Sequence, residues 1–300
     1  MLDTLTPRAA RRWAVRSLAD LVAQRPSLDR SNVYPVADGD TGTNMVLTLQ
    51  AGVRQVEQHL GAEADLARLG SAFARGALLG ARGSSGVILS QWLRGAGEVL
   101  GRGDAGAHAL AAALRRAADE GFAAVSRPVE GTMLTVARAA ADGARGGTLA
   151  DVVLGAATSA RSALARTPDQ LAVLSAAGVV DAGGRGLLVL LDALADVVTG
   201  RERIARPEPE SLAAPPAADP APGGPTHEVM FVLDAGAGPV ARLRERLDAL
   251  GESVVVVGGD GLWSVHVHTD VPDAAVEAGR AAGAVRDVRT SRLDSAAGAP

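Results

Sequence analysis

Two aspartates, Asp38 and Asp40, flank Gly39 in a polar loop that continues into Thr41-Gly-Thr-Asn44. Carboxylates this close together repel each other unless a divalent cation lies between them. Magnesium prefers hard oxygen ligands and usually takes one or two carboxylates together with substrate phosphates. Asp-Gly is also a common turn dipeptide, so a surface turn with a threonine N-cap is the alternative interpretation.

Three further loops combine glycine with polar residues, and each leads into a predicted helix. The four loops span 32–44, 80–86, 127–132 and 178–186. They are alternate connections between eight predicted helices, and alternate loops of an antiparallel bundle lie at the same end. Helix N-termini attract anions through their unpaired N–H groups and the helix dipole. The pattern predicts an anion site built from helix ends.

The composition limits the chemistry that such a site can use. All 30 basic residues are arginine, and the 300-residue chain has no lysine and no cysteine. A Walker A loop, a protein-kinase fold and Schiff-base catalysis each need a lysine, and thiol chemistry or a Cys-ligated metal needs cysteine. The formal net charge of −4 gives no indication of a nucleic-acid partner. Phosphate would have to be held by metal, arginine, backbone amides and helix ends.

The elements that position these loops are mostly helices. Apolar periodicity predicts helices at 8–24, 43–60, 65–79, 86–100, 106–123, 132–141, 148–166 and 186–198. No apolar run is long enough to span a membrane, and the first 15 residues do not have the pattern of a signal peptide. We therefore expect a cytoplasmic protein without a transmembrane segment.

Proline marks a change of architecture, since seven of the 15 prolines fall between Pro207 and Pro225. Downstream, the pattern predicts strands at 227–234, 252–257, 262–269 and 285–288, with helices at 239–250 and 272–282. The order βαββαβ is typical of a ferredoxin-like sandwich. We expect a helical domain over 1–200, a linker over 201–225, a small α+β domain over 226–293 and a disordered tail over 294–300.

The loop motifs resemble those of a known superfamily. They read NVYPVADGDTGTNM from Asn32, GARGSSGVILSQ from Gly80, PVEGTMLTV from Pro128 and GVVDAGGRG from Gly178. They are similar to the signatures of the dihydroxyacetone-kinase L-domain superfamily, and most similar to those of the ATP-binding subunit of bacterial fatty acid kinase. The stretch DGLWSVHVHTD from Asp260 resembles the middle domain of that subunit. The resemblance implies an all-α, eight-helix antiparallel barrel that binds ATP and two magnesium ions.

Carried over by position, the resemblance also implies roles for individual residues. Asp38 and Asp40 would ligate magnesium, with Asn32 as a further candidate ligand, and Arg185 or Arg82 could neutralise charge during transfer. The phosphate-binding candidates are Thr43, Asn44, Ser84, Ser85 and Gly86. The candidates that would line the rest of the nucleotide site are Thr132, Asp181 and Gly183.

Two histidines, His266 and His268, lie two apart on a predicted strand and so point to the same face of the sheet. Two imidazoles at this spacing could share a zinc ion, but they could equally be solvent-facing strand residues. The resembled subunits carry zinc here with a cysteine as third ligand, and this chain has none. Strand parity places Glu228 on the same face, which makes Glu228, His266 and His268 a candidate zinc triad distant from the ATP site.

The leading hypothesis is a kinase subunit that transfers the ATP γ-phosphate to a fatty acid carboxylate held by a separate fatty-acid-binding protein. The resemblance also implies a homodimer. One alternative is a dihydroxyacetone-type kinase subunit, and another is a nucleotide-sensing scaffold without turnover. The resembled subunits continue into a further domain associated with partner binding, whereas this sequence ends soon after the small domain.

Overall fold

A computed structural model of the chain describes residues 1–103, 105–201, 224–259 and 261–293. Almost all of the predicted linker at 201–225, and the whole of the predicted tail at 294–300, lie outside these residues. Among the described residues, no helix has the length and apolar character needed to cross a membrane.

The first 200 residues form a helical domain, as predicted. Its helices are α1 Pro7–Arg30, α2 Thr41–His59, α3 Leu66–Gly80, α4 Gly83–Leu100, α5 Ala107–Ala123, α6 Met133–Gly143, α7 Leu149–Ala165, α8 Thr167–Gln170, α9 Ala172–Ala177 and α10 Ala182–Thr199. From α1 to α7 each helix packs against the next, and α10 packs against both α1 and α7. The long helices therefore enclose one continuous core.

Local signals explain where several helices begin. The Thr6 hydroxyl accepts the Ala9 N–H at the start of α1. Thr148 and Asp151 form a reciprocal capping box at the start of α7. The first helix runs beyond its predicted end and continues past Pro26 to Arg30, where burial of Leu28 supports the extra turns.

The small domain contains β1 His227–Asp234, α11 Ala237–Leu250, β2 Gly251–Gly259, β3 Leu262–Thr269, α12 Pro272–Ala282 and β4 Ala284–Arg292. This is the predicted βαββαβ order. The strands form one antiparallel sheet in the order β2-β3-β1-β4, which leaves β2 and β4 at its edges. One sheet face packs on α11 and α12 through Val229, Phe231, Val265 and Val267.

The other sheet face packs against the helical domain, which corrects our expectation of an open face. Burial of this face is complete enough that Val255 and Val257 are only 1% and 2% exposed. The cluster joins Met230, Val255 and Val257 of the sheet to Leu78, Ala81, Val87 and Ala124 of the helical domain. The Ser126 N–H also donates to the Val254 carbonyl at 3.3 Å. The two domains therefore share an apolar interface.

Candidate functional site

The acidic loop lies between α1 and α2, and its side chains are held by neighbouring polar groups. The Asn32 amide donates to Oδ1 of Asp38. Asp40 is the N-cap residue of α2, but its side chain makes no capping hydrogen bond and instead interacts with Asn44. Asp38 and Asp40 line one small cavity together with Asn32 and Asn44. The structure thus brings together the candidate magnesium ligands of the sequence.

The electrostatics of the acidic loop favour a bound cation. Burial raises the pKa of the Asp38 carboxyl, and the nearby charges of Asp40 and Glu228 raise it further. Burial also raises the pKa of Asp40, although its hydrogen bond with Asn44 acts in the opposite direction. These carboxylates share a confined site without a compensating lysine in the chain. A divalent cation would offset this repulsion and keep both groups ionised.

The N-terminus of α4 faces the same cavity. Arg82 is the N-cap residue of this 18-residue helix and gives no side-chain capping hydrogen bond, while Ser84 and Ser85 in the first turn line the cavity. Gly83 has a φ of +56°, and a Cβ at this position would clash with the Asn44 amide. Glycine is therefore required for the close approach of α4 to α2. Free N–H groups and hydroxyls at this point suit a phosphate group.

A second cavity of about 340 Å³ continues from the acidic one, and the two share Thr41, Ser84 and Ser85 in their walls. Thr132, the N-cap of α6, and Asp181, the N-cap of α10, lie at its far side with Gly183. Burial raises the pKa of Asp181 to about 6, although hydrogen bonds from the Gly184 and Met133 backbone lower it. Three helix N-termini thus converge on one elongated cavity.

Four candidates from the sequence contact other groups. Thr43 donates from its backbone N–H and its hydroxyl to Asp29, both at 2.9 Å, and among the described lining residues Thr41 takes its place. The Arg185 guanidinium donates to Ser27 of α1. Gly86 permits close packing of α4 on Thr48 of α2. Arg82 donates to the carbonyls of Gly80 and Ala81. Thr43 and Gly86 therefore have clear structural roles.

The structure brings Glu228, His266 and His268 together on one sheet face, as predicted. Their potential ligand atoms all lie within 4.8 Å of one another. The histidines are 0% and 4% exposed, because this face is covered by the helical domain. Burial lowers the pKa of His268 to about 3, and the His266 charge adds to the effect. This corrects the interpretation of these histidines as solvent-facing residues.

Glu228 is anchored by two partners. Its carboxylate lies 3.0 Å from Nε2 of His266 and accepts the Ser291 hydroxyl at 2.9 Å. Burial alone would raise the pKa of Glu228, but these hydrogen bonds and the histidine charges lower it to about 2. Glu228 and His268 also line the cavity that contains Asp38 and Asp40. The triad therefore adjoins the acidic loop, which corrects the expectation that the two sites are distant.

Sequence reasoning missed the part of the cavity wall that comes from the small domain. This wall is formed by residues around the start of β2, namely Asp248, Gly251, Glu252, Ser253, Val254 and Val255. The four consecutive valines at 254–257 were the available signal, because a strand that is apolar at every position is buried on both faces.

The match to family models defines the class of this chain. Residues 35–196 match the DAK2 domain model, which covers more than half of the sequence. The chain therefore belongs to the DAK2 domain family. Residues 224–299 match a second model, which describes the FakA-like middle domain of fatty acid kinase.

Individual relatives extend this result. SH1689 of Staphylococcus haemolyticus is 35% identical over 293 residues, which cover 92% of this chain and 52% of that protein. YloV of Bacillus subtilis is 33% identical over 291 residues, which cover 90% of this chain and 52% of that protein. The chain thus spans about half the length of the curated relatives it matches.

One solved structure shows a similar fold. It is the crystal structure of the dihydroxyacetone kinase from C. freundii in complex with AMP-PNP and Mg²⁺. Its TM-score is 0.50 at 21% identity, and the match covers 65% of this chain and 35% of that one.

The residues present fit the groups that the family implies. Buried carboxylate and amide oxygens at Asn32, Asp38 and Asp40 suit magnesium. Two imidazoles and one carboxylate suit zinc, with a fourth position open. The 340 Å³ cavity falls within the range of small-molecule sites, roughly 300 to 1,000 Å³.

Proposed function

We propose that the chain is an ATP-binding kinase subunit that transfers the γ-phosphate to a carboxylate. The observation that carries this proposal is the meeting of two buried carboxylates with the free N-terminus of α4 at one end of an elongated cavity. Metal-bound phosphates need such an arrangement when no lysine is available. Membership of the DAK2 domain family supports it. We also propose that the long helices form the family's antiparallel eight-helix barrel.

In this proposal the acidic loop and the helix ends divide the nucleotide between them. Asp38 and Asp40 hold two magnesium ions, which neutralise phosphate charge when bound, and Asn32 orients Asp38 through its amide. Asn44, Ser84, Ser85 and Thr41 contact phosphate oxygens. Thr132, Asp181 and Gly183 line the part of the cavity beyond the phosphates. Arg185 acts from the α10 N-terminus and would have to leave Ser27 to reach the phosphates.

We propose a fatty acid as the acceptor, presented by a separate fatty-acid-binding protein. A carboxylate oxygen of the acid attacks the γ-phosphorus, the bond from that phosphorus to the bridging oxygen breaks, and ADP and an acyl phosphate leave. The match of residues 224–299 to a fatty acid kinase middle domain supports this acceptor. The DAK2 match favours dihydroxyacetone as the second candidate acceptor.

The experiment compares ATP consumption by the purified chain with three acceptors. The first is oleate with a fatty-acid-binding protein, the second is dihydroxyacetone, and the third is no acceptor. Consumption that depends on oleate and the binding protein supports the proposal, and consumption with dihydroxyacetone alone supports the second candidate. ATP binding without consumption in any arm would leave a nucleotide-sensing scaffold.

We further propose that Glu228, His266 and His268 bind zinc and that the chain is a homodimer. The compact arrangement of the three ligand groups supports the zinc site. The exposed edge strand β4 offers a surface for pairing two copies. Elemental analysis of protein purified without chelator and light scattering test the two points, and zinc-free or monomeric protein would refute them respectively.

A further inference from the structure

The start of β2 is placed where it could contact a ligand of the helical domain. Because β2 is an edge strand, its outer side faces away from the sheet. In its middle this edge meets the helical domain, where Val255 pairs with Val125 and the Val254 carbonyl accepts the Ser126 N–H. Towards its N-terminus, Gly251–Ser253 continues along the cavity opposite α6 and α10. One wall of the cavity is therefore supplied by the small domain.

The backbone changes direction at this wall. The pairing of β2 with β3 is irregular between Glu252 and Val255, and Ser253 has a φ of +52°. The Ser253 carbonyl lies 3.0 Å from Nδ1 of His266, so the irregular segment is fixed from the sheet side. Glu252 is exposed at the cavity rim. The bulge thus holds a carboxylate at the edge of the cavity instead of within the sheet.

The chemistry of the two walls suits a nucleoside. Apolar groups line the middle of the cavity, and they are Ile88, Val129, Met133, Leu134, Val254 and Val255. A flat base can lie between such groups, while ribose hydroxyls need acceptors at the rim. Acidic side chains commonly accept hydrogen bonds from ribose hydroxyls in nucleotide sites. Asp248 interacts with the Arg244 guanidinium, so Glu252 is the better placed acceptor.

We propose that the β2 segment Gly251–Val255 is the second wall of the nucleoside subsite and that Glu252 binds the ribose hydroxyls. The proposal rests on the proposed nucleotide site, with the phosphates at the acidic loop and the nucleoside between the two domains. It makes the small domain a direct part of the nucleotide site. The helical domain alone then supplies the phosphate contacts and only half of the nucleoside contacts.

The test measures affinities of the full chain by calorimetry with magnesium and three probes: ATP, 2′,3′-dideoxy-ATP and inorganic tripolyphosphate. We expect the wild type to bind ATP about tenfold more tightly than the dideoxy analogue, the size expected for a hydrogen bond to a charged group. Glu252→Ala should remove this preference and leave tripolyphosphate affinity unchanged. Glu245→Ala, an equal charge change at an exposed position of α11, is the control and should resemble the wild type.

The outcomes separate this inference from the proposed function. If the wild type binds neither ATP nor tripolyphosphate, the proposed nucleotide site is wrong. If the wild type binds both but Glu252→Ala keeps the wild-type preference for ATP, the ribose assignment is overturned while the nucleotide site stands. Glu252 is exposed, so its replacement should not disturb folding.

Discussion

The carboxylates of the acidic loop have the clearest consequences at the scale of single residues. Asp38→Asn or Asp40→Asn should weaken magnesium-dependent ATP binding by about 100-fold, since each removes a charge-assisted metal contact. Neither variant should unfold, because burial already disfavours the ionised forms. Calorimetry with ATP and magnesium measures the effect, and Asp119→Asn on the exposed face of α5 is the control. Unchanged affinity in both variants would contradict the magnesium assignment.

Asn32 should matter less than the aspartates. Its amide donates to Asp38, so Asn32→Ala removes an orienting contact and leaves the charge in place. We expect a loss of affinity of about tenfold, the size of one hydrogen bond to a charged group. The same calorimetry measures it. A loss as large as that of Asp38→Asn would instead indicate that Asn32 is itself an indispensable ligand.

Asp181 predicts a pH dependence of stability. Its folded-state pKa is raised to about 6 by burial, above the ordinary value of 3.8. Between these values the folded chain holds a proton that the unfolded chain has released, so the free energy of unfolding falls as pH rises from about 4 to 6. The contribution is on the order of 3 kcal/mol. Asp181→Asn, which can still cap α10, should lose this slope in urea titrations across that range. An unchanged slope would contradict the raised pKa.

At the scale of elements, the approach of α4 to α2 depends on Gly83. Gly83→Ala combines an unfavourable positive φ with a clash against Asn44, and should destabilise the fold by about 2–4 kcal/mol and weaken ATP binding. Gly178→Ala is the matched control, since its φ is +64° but the space around its missing Cβ is open. It should cost only about 1 kcal/mol. Chemical denaturation compares the two, and equal losses would show that the Asn44 contact is unimportant.

The helices and strands were largely predictable because each carries a local signal. The Thr148 cap and the alternation of Val229, Phe231 and Leu233 specify their elements without knowledge of the rest of the chain. The short helices α8 and α9 were missed, since residues 167–177 gain their order from packing of Leu174 against Val33 and Val179. Such contacts join segments far apart in sequence, and periodicity does not report them.

The candidate site was predictable in part for the same reason. Asp38, Asp40, Ser84, Ser85, Thr132 and Asp181 stand in glycine loops or at helix starts, and the structure places them around the two connected cavities. The contacts of Thr43 with Asp29 and of Arg185 with Ser27 are tertiary, so sequence position alone could not reveal them. These two differ from the others only in the direction that the side chain takes.

At the scale of the whole molecule, the shared interface changes what a fragment should do. A chain ending at residue 201 leaves the apolar surface of Leu78, Ala81, Val87 and Ala124 without its cover. We expect it to fold and bind tripolyphosphate with magnesium, but to melt at a lower temperature than the full chain and to self-associate. Calorimetry and light scattering check this. A monomeric fragment as stable as the full chain would show that the interface contributes little.

The proximity of the triad to the cavities predicts that zinc and ATP affect each other. Zinc bound by Glu228, His266 and His268 would fix β1 against β3, and His266 also contacts the Ser253 carbonyl at the cavity wall. Zinc should therefore raise the melting temperature of the chain through linkage and strengthen ATP binding several-fold by ordering that wall. His268→Ala should lose both effects, whereas His108→Ala on α5 should keep them. Melting curves and calorimetry, with zinc added to chelator-treated protein, measure the two effects. Because linkage is reciprocal, ATP must then strengthen zinc binding by the same factor, and a zinc affinity that is indifferent to ATP would contradict the coupling.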